Sequence, residues 1–170
     1  MKKFTLALIP FFILACASQQ NTVTTITGKN TIESECPTEG TCNVEVLKDK
    51  SLFVVQNENS VRPYYELHDA PGKLVVRYTY AKKKNPLYQD DIYSEEVVFE
   101  TDSELSNLKK SATPKSVNML FGVRCFCRDK AGYYNVDGGS ITYKNDKLQI
   151  MLPADIIDNQ LTKIIKISFK

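Results

Sequence analysis

The chain has 170 residues, 42% of them hydrophobic and 25% charged, with seven Gly and seven Pro. That is the make-up of one globular domain and excludes a disordered chain, a collagen or a coiled coil. A formal net charge of +2 gives no field to draw nucleic acid, and one His with no Trp leaves little material for a hydrolase triad or a histidine zinc site.

The first segment is a targeting leader. Lys2 and Lys3 precede an apolar run from Phe4 to Leu14, interrupted only by Thr5 and Pro10. A helix that spans a bilayer needs about 20 apolar residues, so this run is too short for a permanent anchor. It ends in Ile13-Leu14-Ala15-Cys16, followed by polar Ser18-Gln19-Gln20. A plain secretory leader cut at Ala15 or Ala17 leaves a lone Cys after the apolar run unexplained. The tetrapeptide resembles the lipobox of bacterial lipoprotein precursors, with Leu14 bulkier than the favoured second residue. The resemblance covers the leader only. It implies cleavage before Cys16, a diacylglycerol on the Cys16 thiol and acylation of the new amine. Ala17 stands where an inner-membrane retention signal would place Asp, so the resemblance implies the outer membrane where the host has one. Two or more acyl chains hold stably in a bilayer, whereas one binds only marginally. The reading is therefore a signal peptide over 1–15, a lipidated tether over 16–31 and one domain over 32–170. Without Lys2 and Lys3, Lys plus Arg falls from 22 to 20 and equals the 20 Asp plus Glu.

After a Thr-, Asn- and Gln-rich stretch with a possible edge strand at Val23 to Thr27, the pattern becomes period-two alternation, the mark of half-buried strands. The inward sets are Cys42, Val44, Val46; Leu74, Val76, Tyr78, Tyr80; Val97, Phe99; Met119, Phe121, Val123, Cys125, Cys127; Leu148, Ile150, Leu152; and Ile165, Ile167, Phe169. Pro71-Gly72 offers a type II turn before Leu74, Asp137-Gly138-Gly139 a tight turn, and Asn145-Asp146 a two-residue hairpin. Thr101 and Glu104 have capping-box spacing and predict a short helix over Asp102 to Lys110, with one further helical turn within Pro153 to Gln160. These elements predict an all-β antiparallel sandwich, Ig-like or a partly open barrel, of seven to nine strands.

Cys36, Cys42, Cys125 and Cys127 are an even number in an exported chain, which favours two disulfides. Residues two apart on a regular strand lie about 6.6–6.8 Å apart, too far for a bridge whose Cβ atoms want about 3.5–4.5 Å. The expectation is that the Cys36/Cys42 pair joins the Cys125/Cys127 pair. Such bridges close loops of roughly 85 to 90 residues, worth about 4–5 kcal/mol on the chain-entropy model, against about 2–2.5 for a local Cys36–Cys42 bridge. A thiolate metal site is the alternative, opposed by the missing Cys-x2-Cys spacing, the oxidising compartment and the apolar company of Cys125 and Cys127. Local bridges or free thiols would put thiol or metal handling first.

His68 is read as a solvated turn residue, and no Gly-x-Ser-x-Gly elbow accompanies it. Asp90/Asp91 and Glu95/Glu96 are adjacent pairs, which a strand sends to opposite faces, so neither is a carboxylate dyad. Glu33, Glu35 and Glu39 lack the spacing of a calcium loop. Lys82-Lys83-Lys84 reads as a solvated strand end, with lipid head groups or an acidic partner as the alternative. Tyr64-Tyr65 and Tyr133-Tyr134 each place one ring on either face, and outward Tyr rings favour recognition. The chain is thus expected to be a non-enzymatic envelope lipoprotein. It would be held to the membrane through its lipid and would bind an envelope protein or another envelope ligand, with no catalytic residue, metal or cofactor and no nucleic acid. An inhibitor of an envelope hydrolase fits that class. The alternative is a thiol- or metal-handling envelope protein using Cys125 and Cys127.

Overall fold

The computed structural model describes residues 31–56, 62–87, 91–110 and 112–169. The leader, Cys16 and the strand expected at Val23 to Thr27 lie outside the described residues. Among those described, two antiparallel sheets pack face to face as an open sandwich. One has five strands in the order β2 (Gly40–Val55), β3 (Tyr64–Lys82), β4 (Tyr93–Asp102), β5 (Leu120–Cys125) and β6 (Gly132–Asn135). The other has four, in the order β1 (Thr31–Ile32), β9 (Ile164–Ser168), β8 (Lys147–Met151) and β7 (Ser140–Lys144).

The core follows the alternation. Val46, Val76, Tyr78, Tyr80, Val97, Phe99, Phe121 and Val123 meet Ile141, Leu148, Ile150, Ile165 and Ile167 of the other sheet, all buried. Asn145 and Asp146 both take positive φ between the paired Lys144 and Lys147, as a two-residue hairpin of strongly twisted strands requires.

The helical expectations need correction. The helix α1 covers only Ser106–Lys109. Its first turn is held by Asp102 and not by Thr101: the Asp102 carboxylate accepts from the backbone N–H groups of Glu104, Ser106 and Asn107. Thr101 is buried and donates its hydroxyl to Asn107 Oδ1. Positive φ at Leu105 keeps the chain from winding earlier. A single 3₁₀ turn follows at Lys115–Val117, and residues 153–160 form turns with no helix.

Pro71-Gly72 does not close a hairpin. It lies inside β3, where the four residues 70–73 oppose Asp49 alone, because Lys48 pairs with Leu74 and Lys50 with Asp69. Asp49 and Gly72 both have positive φ, and the Asp49 carboxylate accepts the Gly72 N–H at 3.0 Å. This bulge bends the β2–β3 pair sharply. The arm beyond it, residues 50–55 and 64–69, lies across the outer face of its own sheet. There Leu52 joins Leu47, Val75, Val98 and Leu120 in a second buried cluster, flanked by Val54, Tyr65 and Leu67. The Leu52 N–H donates to Glu100 Oε2 at 3.0 Å and fixes the arm to β4.

Candidate binding site

The arm covers one half of the outer face and leaves the other half open. Two cross-strand rows form the open floor. One row runs Thr41, Ala81, Ser94 and Arg124, the next Asn43, Thr79, Glu96, Gly122 and Tyr133. The result is a groove of about 610 Å³. Its floor is low because its central side chains are small or absent. A Cβ on Gly122 would stand 2.4 Å from the Tyr133 ring, so only glycine lets that ring lie down over β5. Tyr65 and Tyr133 meet edge to face at 5.1 Å and both donate to Glu96 Oε1, at 2.9 and 3.0 Å. Burial, then the Glu96 charge, pushes both phenols above their usual range. Arg77 adjoins the same wall: its guanidinium reaches the Tyr65 hydroxyl and forms an ion pair with Glu45. The walls are thus set by paired groups, while the Arg124 side chain and the Thr and Asn groups face the open groove.

The pleat splits the two adjacent glutamates, as expected. Glu96 faces this groove. Glu95 is fully buried between the sheets, where it accepts the N–H groups of Leu161 (2.8 Å) and Thr162 (2.6 Å) and the Tyr93 hydroxyl (2.6 Å). It ties the loop before β9 to β4 and is not open to substrate.

A second cleft, of about 580 Å³, opens at the end of the sandwich beside the last β4–β5 pair, Tyr93 and Cys125. Tyr80, Tyr93, Cys127, Lys130 and Leu161 line it, and Phe126 stands at its rim 75% exposed. Cys125 lines both this cleft and the groove.

The four cysteines do form two bridges, but the expected cross-linking is overturned. Cys36 pairs with Cys42 and Cys125 with Cys127. Two facts explain it. Cys42 is on β2 and Cys125 on β5 of the same sheet, three strand spacings apart, roughly 14 Å at about 4.7–4.9 Å each, so they cannot meet across the core. Cys125 ends its strand and Cys127 lies beyond it, which lets the Cα atoms approach to 5.1 Å instead of keeping strand spacing. The Cys36–Cys42 bridge is anchored further by Tyr78, whose hydroxyl donates to Cys42 Sγ at 2.9 Å and whose burial pushes its pKa up to about 12.

His68 is not in a turn: it pairs with Ser51 inside the arm, stacks on Phe53 at 5.3 Å and contacts Glu66 at 3.2 Å, half exposed. It is remote from both openings in sequence and in fold. Lys82 ends β3, and Lys83 and Lys84 follow it, all exposed. Tyr64 is exposed while Tyr65 is on the arm's covered side, packed against the second cluster; Tyr133 is outward while Tyr134 packs on the core beneath Arg62. Glu33 pairs with Lys147 at 3.0 Å. Among the described residues no group of three His, Cys, Asp or Glu side chains is placed to hold a metal ion. The groove itself was not foreseen; the sequence signals for it are the small residues Thr79, Ala81, Ser94 and Gly122 at outward positions. The chain matches no family model, no curated protein and no solved structure.

Proposed function

We propose that this is an exported, lipid-anchored protein of the cell envelope, of the outer membrane where the host has one, that works by binding and not by catalysis. The observation that carries the reading is the open groove on the outer face of the five-stranded sheet, with its small-residue floor beside the connected wall of Glu45, Arg77, Tyr65, Glu96 and Tyr133. Its polar floor suits an envelope protein segment or another envelope ligand able to hydrogen-bond along two rows of side chains. The described residues begin at β1, in the four-stranded layer, and the groove is on the five-stranded layer.

Two substitutions test the two halves of this reading. Cys16→Ser should abolish lipid labelling and membrane partition; a cleaved mutant that still partitions with membranes defeats the anchor. Thr79→Arg should fill the groove and remove cross-linking of the lipidated protein to its envelope partner while the sheet signal in circular dichroism persists. Unchanged cross-linking of a folded Thr79→Arg protein defeats the groove as the site.

A second reading, thiol handling through Cys125 and Cys127, is the one that local bridges were expected to put first, and these two residues do bridge each other and not the distant pair. It stands second because both bridges are closed and leave none of these four cysteines as a free thiol.

A further inference from the structure

The two bridges differ in what they join. Cys36–Cys42 fastens the segment after β1 to the start of β2, and a buried Tyr78 hydroxyl holds one of its sulfurs. Cys125–Cys127 joins nothing that the chain does not already hold together: one residue separates its members. A bridge that closes so short a loop removes little freedom from the unfolded chain. It sits at the open end of β5, both of its residues are partly exposed, and it forms a wall of the end cleft. Cys36 and Cys42 are partly exposed as well, so it is the cleft that distinguishes Cys125–Cys127: a bridge that walls an open cleft can be reached by an attacking thiolate.

Resting on the thiol reading above, we propose that Cys125–Cys127 is a thiol–disulfide exchange centre for cysteine-bearing exported polypeptides, with Cys127 the sulfur that is attacked. The asymmetry between the two cysteines selects Cys127. Cys125 packs against the main core cluster, while Cys127 lies past the strand end and outside that cluster. The polypeptide class follows from the surroundings. Phe126, between the two cysteines, is 75% exposed, and Leu161 across the cleft is 43% exposed. Together they offer apolar contact to a chain with its own apolar residues beside the cysteine, which glutathione lacks. Charge is mixed: Arg124 and Arg128 flank the bridge and Lys130 lines the cleft, where they favour a leaving thiolate, against Glu39, Asp91 and Asp158 on the other walls.

The chemistry balances with a polypeptide dithiol as the reductant. One substrate thiolate attacks Cys127 Sγ; a substrate–Cys127 disulfide forms, the Cys125–Cys127 bond breaks, and Cys125 leaves with the electron pair. The second substrate thiolate then attacks the first substrate sulfur, forms the substrate's own disulfide and releases Cys127. Two electrons pass to the bridge, and the two substrate thiol protons end on Cys125 and Cys127. The centre is left reduced.

The test uses the full-length lipidated protein in two arms. In the first, it is equilibrated in glutathione buffers of increasing reducing strength, and thiols are mapped by mass spectrometry. Cys125–Cys127 should open while Cys36–Cys42 stays closed and the sheet signal is unchanged. If Cys125–Cys127 opens only together with Cys36–Cys42 and loss of the sheet, the thiol reading itself falls. In the second arm, the oxidised protein meets a reduced synthetic peptide carrying two cysteines flanked by Phe and Leu. Exchange should be at least about tenfold faster than with glutathione at equal thiolate, the equivalent of one apolar side chain buried in the encounter. Phe126→Ser should remove that advantage. A Cys125→Ser protein, which leaves only Cys127 at the site, should capture the oxidised peptide as a mixed disulfide, and Cys127→Ser should capture much less. Exchange no faster with the peptide than with glutathione, or capture favoring Cys125, overturns this proposal while leaving the thiol reading standing.

Discussion

The two faces of the five-stranded sheet use similar residues to different ends. The inner face is continuous: Val76, Tyr78, Tyr80, Val97, Phe99, Phe121 and Val123 meet a second sheet along its length. The outer face is divided. Leu47, Val75, Val98 and Leu120 are covered by the sheet's own folded-back arm, and the rows beside them stay open as a groove. One face is sealed by another layer and the other by a bend in two of its own strands. The bend therefore decides how much of the outer face is available to a ligand.

The comparison is sharpest in adjacent residues. Phe121→Ala should cost about 3–5 kcal/mol, in the range for large aromatic truncations in cores. Leu120 points the other way, and on an ordinary outer face its loss would cost under about 0.5 kcal/mol. Under the arm it should cost about 2–5 kcal/mol. Urea unfolding of the two variants measures both; a near-neutral Leu120→Ala means the arm does not seal the second cluster.

Glu95 and Glu96 make the same contrast with charge. Removal of the Glu95 carboxylate leaves the Leu161 and Thr162 N–H groups and the Tyr93 hydroxyl without an acceptor in a dry site. An unsatisfied buried donor costs about 1–3 kcal/mol, so Glu95→Ala should cost about 2–4 kcal/mol after partial relaxation. Glu96→Ala frees two phenols beside an open groove, where water replaces the acceptor, and should cost about 1 kcal/mol or less. Equal losses by thermal or urea unfolding would erase the distinction between the faces.

Much of this architecture is legible in the sequence, for a definite reason. Period-two alternation records which side of a strand is dry, so the inward sets hold except at Cys127, which lies past the end of β5 and outside the core, and the Asn145-Asp146 hairpin follows from residues that accept positive φ. Alternation does not record where a strand bends. Asp49 and Pro71-Gly72 lie 22 residues or more apart, and only their pairing turns a supposed hairpin turn into a bulge. The second cluster and the groove both depend on that bend, so neither was visible. The disulfide partners failed for a related reason. Strand spacing applies within a strand, and Cys127 lies past the end of one, while the strand order that separates Cys42 from Cys125 is a property of the whole sheet.

Gly72→Ala tests the bend directly. Gly72 has φ of 80°, and an L side chain in that region costs about 1–2 kcal/mol. No atom lies within 4 Å of the added Cβ, so the cost is backbone strain alone. The loss should appear as faster amide exchange in the arm, at Leu52 and Leu67, before it appears at Phe121. Uniform acceleration of exchange on both faces would mean that arm and inner core open as one unit.

The smallest effect concerns Asp102, where β4 leaves the sheet and delivers Leu108 to the inner core. Partial burial works to raise its pKa, but hydrogen bonds from the backbone of Ser106 and Asn107, the Ser106 hydroxyl and the backbone of Glu104 outweigh it and hold it at about 2. Its value in the unfolded chain is about 3.9. A depressed folded pKa means that the charged form stabilises the fold above the unfolded value, and that this contribution is lost as pH falls from about 5 toward 2. At pH 7 Asp102→Ala should cost about 0.5–2 kcal/mol, as loss of a helix cap does. The gap between wild type and variant should narrow as the pH is lowered through that window, because the wild-type carboxylate is then protonated as well. The junction also touches the bend, since the Ser103 N–H donates to the Gly72 carbonyl at 3.0 Å. Amide exchange in Asp102→Ala should therefore rise first in α1 and at Ser103, then at the bulge, with the far half of the inner face unaffected. A gap in stability that stays constant from pH 7 to pH 3 would show that the Asp102 charge does not hold this junction.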